Sequence, residues 1–87
     1  MSIHPGSLYF GEWLDAYNGD DPAIADLRDD FKRSYRFRDL GPLDYKTPNT
    51  VDYEMRCWQA SSEAFDAFHK AAEIYYALPG AWSRPTE

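Results

Sequence analysis

Apolar residues in this chain return every three or four positions and nowhere alternate at period two. Phe10, Trp13, Leu14 and Tyr17 stand at i, i+3, i+4 and i+7. Ile24, Leu27 and Phe31 stand at i, i+3 and i+7, extended by Tyr35. Val51, Met55 and Trp58 follow the same rule, and so do Phe65, Phe68, Ala72 and Tyr75. Such spacing puts each set on one face of an amphipathic helix. Half-buried strands need alternation, so the expected fold class is all-α, a compact bundle of three to four helices.

Punctuation residues divide the chain. Pro5-Gly6 closes a flexible N-terminal arm, residues 1–6, and Ser7 is a candidate N-cap for the first helix. Gly19 is its candidate stop. Gly11, inside the helix, costs about 1 kcal/mol against Ala, which points to close packing there or to a late start. Asp21-Pro22 and Thr47-Pro48 each pair a capping side chain with a proline at the first helical position. Gly41-Pro42 breaks the chain between them, and Leu40, Leu43 and Tyr45 are expected to tuck that loop onto the core. Ser61-Ser62 can start a fourth helix, yet the period stays nearly in phase there, so one helix over 48–78 is the alternative. Leu78-Pro79-Gly80 ends the helical domain, 7–78, and leaves a tail, 79–87.

The aliphatic content is low for a folded domain: Leu, Ile, Val and Phe fill 15 of 87 positions. Three Trp and seven Tyr supply the missing apolar area. Each aromatic buries roughly 150–250 Å², so a few ring positions should decide stability. Fifteen acids against nine bases give a net charge of −6. A single Cys excludes an internal disulfide. No apolar run reaches the roughly 18 residues of a membrane span, and the N-terminus lacks the basic and apolar regions of an export signal. A cytoplasmic domain without membrane contact is the expectation.

The aromatic pattern resembles a known family. Phe10, Trp13, Leu14 and Tyr17 are similar to the aromatic-x-x-aromatic-Leu-x-x-Tyr opening of YozE-like bacterial domains, which have a sterile-alpha-motif-like (SAM-like) fold. Asp21-Pro22 with Ile24 and Leu27 looks like that family's second helix. Phe68, Ala71, Ala72 and Tyr75 resemble its closing motif, with Ala72 where the family usually has Trp. The resemblance spans residues 8–76. It implies a SAM-like helical bundle of bacteria and their phages, and it supplies no catalytic residue.

Few constellations carry chemistry. Asp66, His69 and Glu73 share a helix face, but three ligands from one helix make a poor closed metal site; a solvated face is the plainer reading. His4 lies in the arm without an acid or thiol nearby. Cys57 has no motif linking it to either histidine and is expected to be a partly buried, inert thiol. No nucleophile elbow, phosphate loop or zinc spacing occurs, so neither catalysis nor a cofactor is expected.

The most distinctive stretch runs from Phe31 to Arg38, with four bases, three aromatics and no acid. Lys32, Arg33, Tyr35, Arg36 and Arg38 are its candidate partner-binding residues. Basic residues interleaved with aromatics can neutralise phosphates and stack on bases. They equally suit the dipole at a helix C-terminus or an acidic protein surface. Residues 12–30 hold seven acids and one base, a field that repels nucleic acid and, read alone, suggests an acidic DNA mimic. Trp82 in the tail is either an interface anchor or a cap on the bundle. The expected role is a protein–protein interaction module, such as a phage-encoded modulator or inhibitor of a host complex, or a self-associating unit. A nucleic-acid-associated accessory protein is the alternative.

Overall fold

The computed structural model describes residues 6–82. Four helices follow in order: α1 (Phe10–Asp15), α2 (Pro22–Phe37), α3 (Pro48–Cys57) and α4 (Ser62–Tyr76). A 3-10 turn over Pro42–Asp44 lies between α2 and α3. Among the described residues there is no strand, only an isolated parallel bridge between Leu8 and Ala81. The chain is all-α, as its periodicity requires, and closes into a bundle with a Cα radius of gyration of 12.4 Å.

Two of the expected caps form. Asp21 accepts a hydrogen bond from the Ala23 N–H at 2.9 Å, with Pro22 at the first helical position. The Ser61 hydroxyl accepts from the Ala64 N–H at 3.1 Å. Thr47 precedes Pro48 as expected, but its side chain makes no cap; its carbonyl accepts from the Thr50 hydroxyl at 2.6 Å.

Helix α1 departs from the sequence reading. It starts at Phe10 rather than beside Ser7, and Tyr9 in the cap position makes no side-chain bond. The orphan donors of a helix N-terminus must be met somewhere. Here the loop before α3 meets them: Phe10 N–H donates to the Lys46 carbonyl at 3.0 Å, and Gly11 N–H to the Tyr45 carbonyl at 2.7 Å. This explains Gly11. A Cβ there would stand 2.3 Å from the Pro42 carbonyl oxygen and 2.7 Å from the Tyr45 Cβ. Both expectations for Gly11, close packing and a late helix start, describe the same contact. Gly19 is not the stop, since α1 ends at Asp15 with Ala16 as C-cap.

The region 48–78 holds two helices. The backbone turns left-handed at Gln59, with φ 58°. Ala60 N–H donates to the Met55 carbonyl and Gln59 N–H to that of Arg56, the pairing of a Schellman stop. Helix α2 ends in the same way. Asp39 has φ 60°, Leu40 N–H donates to Tyr35 and Asp39 N–H to Arg36.

The core is aromatic. Phe10 meets Tyr75 edge-on at 5.1 Å and Phe68 at 5.9 Å; Phe31 meets Tyr45 at 4.9 Å. Leu14, Ile24, Leu27, Val51 and Met55 complete it. Trp13, Trp58 and Phe65 are half-buried at its margin. Of the loop residues expected to tuck inward, Tyr45 is buried whereas Leu40 and Leu43 are exposed. The chain ends come together: Leu8 N–H donates to the Gly80 carbonyl at 2.9 Å, and the Tyr75 hydroxyl donates to the Leu8 carbonyl while accepting from Trp82 N–H at 3.0 Å. Residues 79–82 are thus seated on the bundle, and Gly6 is bonded to Gly80. The remainder of the expected arm and tail, 1–5 and 83–87, lies outside the described residues.

A left-handed residue with a Cβ costs roughly 1–2 kcal/mol, partly offset because glycine is more flexible when unfolded. Gln59→Gly should therefore stabilise the fold by about 0.5–1 kcal/mol. Chemical denaturation checks this; a loss of stability would show that Gln59 contributes through its side chain.

Candidate functional site

The C-terminal half of α2 is laid out by the stripe that buries Ile24, Leu27, Phe31 and Tyr35. Residues off that stripe face outward. Arg33 and Phe37, one turn apart, form a ridge, and Phe37 is 92% exposed. A groove lies on each side of this ridge. The first, about 610 Å³, runs between α2 and α3 and is lined by Arg33, Phe37, Arg38, Glu54, Cys57 and Trp58 among others. The second, about 570 Å³, is lined by Asp29, Lys32, Arg33, Arg36 and Phe37.

Glu54 is the buried charge of this region, 2% exposed. Arg38 donates to one carboxylate oxygen, and the Ser34 hydroxyl donates to the other at 2.6 Å. A buried carboxylate left without its cation costs roughly 3–5 kcal/mol, so Arg38 is committed to the fold. Its ion pair also lines a third groove, of about 340 Å³, on the side of Leu40, Tyr45 and Tyr53. Tyr53 is 68% exposed.

The sequence-predicted residues separate into three groups. Lys32, Arg33 and Arg36 sit on the outward side of α2, where Lys32 is half-buried and the arginines are exposed. Tyr35 does not belong to a contact surface: it is 5% exposed and donates its hydroxyl to Asp15, tying α2 to α1. Helical periodicity explains the correction, because Tyr35 continues the buried stripe. Arg38 is drawn onto Glu54 of α3. Trp82 lines none of these grooves; it lies against Gly6, where a Cβ would meet its indole at 3.2 Å. Its 37% exposure leaves one side of the ring open.

Other expectations are changed or placed. Cys57 is exposed at the end of α3, not partly buried. Asp66, His69 and Glu73 stand exposed on α4, and among the described residues no three ligand-type side chains converge. Among the described residues no helix is long and apolar enough to cross a membrane. Sequence reasoning missed Glu54, although its place gives a signal: Val51, Glu54, Met55 and Trp58 stand at i, i+3, i+4 and i+7, so a carboxylate occupies the apolar stripe. It missed Phe37 as an anchor, although Phe37 lies off the α2 stripe.

Tyr45 closes the inner side of the site. Its buried hydroxyl faces Glu54 and has no hydrogen-bond partner in good geometry among the described residues. Burial first, and the neighbouring Glu54 second, push its pKa up to about 12. Burial likewise raises Tyr35, reinforced by Asp15, and raises Tyr75. No protein-family model, curated protein or solved structure matches the chain.

A phenol whose folded pKa lies above its unfolded value of about 10 supports stability below pH 10 and withdraws it as the pH rises through 10 to 12. Tyr45 should therefore contribute a loss of stability on the order of 3 kcal/mol across that window. Thermal melts should be insensitive to this group up to about pH 9 and fall above it. Tyr45→Phe should flatten part of the fall and cost little at pH 7, because the hydroxyl is unpartnered. An unchanged alkaline slope in Tyr45→Phe would contradict this assignment.

Proposed function

We propose that this chain is a non-catalytic protein-interaction module that docks its partner on the Arg33–Phe37 ridge and the groove between α2 and α3. The observation that carries the reading is Phe37. Burying a phenylalanine is worth roughly 1.5–3 kcal/mol, and this one is left almost fully in water at the edge of a groove that already has Trp58 in its wall. Aromatic and arginine side chains together are the composition of interface anchors. Catalysis finds less support: Cys57 is exposed in the groove, and among the described residues no histidine lines it.

The SAM-like topology suggested by the aromatic spacing, and a role as a bacterial or phage-encoded modulator of a host complex, belong to the same proposal. Nucleic-acid contact is the second reading. It draws on Lys32 and Arg36, neither of which forms an ion pair among the described residues.

Phe37→Ala separates function from fold. The side chain makes almost no packing contribution, so stability should change by less than about 0.5 kcal/mol. Loss of an interface anchor should weaken partner binding by about 30-fold or more. Parallel pull-downs with the original chain and Phe37→Ala, each with and without nuclease, check this. A nuclease-resistant protein retained by the first and lost by the second is expected. Identical captures would contradict the reading, and nuclease-sensitive capture would transfer the site to nucleic acid.

A further inference from the structure

We infer that the occupant of this ridge is an acidic, apolar-anchored peptide segment of another protein, with carboxylates flanking one large apolar side chain. The inference rests on the interaction reading and adds the chemistry of the partner. It follows from which charges near Phe37 are already spent. Glu54 is neutralised by Arg38, Asp29 accepts from Arg28 at 3.0 Å, and Asp30 faces Arg33 at 3.3 Å. All three acids that line the two grooves therefore have a cation of their own. Lys32 and Arg36 line the second groove without an ion pair among the described residues. The Arg33–Asp30 pair is loose and lies on side chains 78% and 47% exposed, so Arg33 is exchangeable as well.

The result is a local cationic surplus around an exposed phenyl ring, on a chain whose net charge is −6. Such a surplus is a directional signal. The excess of acids over the rest of the chain disfavours approach of an acidic partner there, so this patch biases both approach and register. The apolar element decides between acidic protein and nucleic acid. The first groove has Trp58 and Cys57 in its wall, and its one guanidinium beyond Arg33 is held by Glu54. A phosphate backbone entering this groove would meet that paired carboxylate and two guanidiniums that already face acids, since Lys32 and Arg36 line the other groove. A segment with one apolar side chain for the α2–α3 groove and carboxylates for Lys32 and Arg36 meets neither obstacle.

The test is selection of a random linear peptide library displayed on phage against the full chain, with counter-selection on Phe37→Ala. Enriched peptides should be net negative, with Asp or Glu within a few residues of an aromatic or large aliphatic residue. They should bind the folded double variant Lys32→Glu with Arg36→Glu at least about tenfold more weakly. Circular dichroism confirms that both variants are folded. Phe37-dependent peptides that are neutral or basic, and indifferent to the charge reversal, would overturn the acidic partner while the interaction module stands. The absence of any Phe37-dependent peptide would overturn both. A fluorescein-labelled oligothymidine serves as the parallel probe. If it binds more tightly than the selected peptides and is released steeply by salt, the site belongs to nucleic acid and the inference fails.

Discussion

The start of α1 is held by the backbone of another element. A six-residue helix has little stability of its own, and α1 lacks a capping side chain. Its first donors are met by the Tyr45 and Lys46 carbonyls, and that approach is possible because position 11 has no side chain. Two consequences follow from the one contact. Phe10 and Leu14 are delivered to the core beside Tyr75 and Phe68. In the other direction, the loop is pinned so that Tyr45 enters the core against Phe31.

From Tyr45 the constraint passes to the candidate surface. Tyr45 lies inside Glu54, and Glu54 fixes Arg38 and Ser34. Arg38 directly follows Phe37, and Asp39 turns the chain left-handed immediately after it. With Ser34 and Arg38 both bound to α3, the last turn of α2 is fastened on the side facing the core. Phe37 and Arg33 are thereby presented outward as a ridge rather than free to fold back. The polar clamp leaves Phe37 facing outward, although an apolar residue at position 54 would be less costly to bury.

Much of the fold was legible because its signals are local. The stripe Ile24–Leu27–Phe31–Tyr35 is buried as its spacing requires, and so is Phe65–Phe68–Ala72–Tyr75 apart from the half-buried Phe65; Asp21 and Ser61 cap as their positions suggest. What was not legible depends on contacts distant in sequence or on rarer chemistry. The late start of α1 is dictated by carbonyls some 35 residues away. The stop of α3 uses a left-handed Gln59, a position usually given to Gly or Asn, so periodicity alone left one long helix open. At the site, the basic run was visible as a charge pattern, but its division was not. Tyr35 is core, Arg38 is spent on Glu54, and Lys32, Arg33 and Arg36 are what the surface keeps. That sorting needs the partner helix, which no window of the sequence contains.

Amide hydrogen exchange at Phe10 and Gly11 tests most directly whether the loop-to-helix contact governs the rest. These donors stand at a helix N-terminus, where amides ordinarily exchange quickly for want of an intrahelical partner. If the Tyr45 and Lys46 carbonyls hold them as part of the core, both amides exchange only through global unfolding, with the same protection as Phe31 or Met55. Rapid exchange at Phe10 and Gly11, with the core amides still protected, would contradict the account, since α1 would then pack without the loop that is held to anchor it.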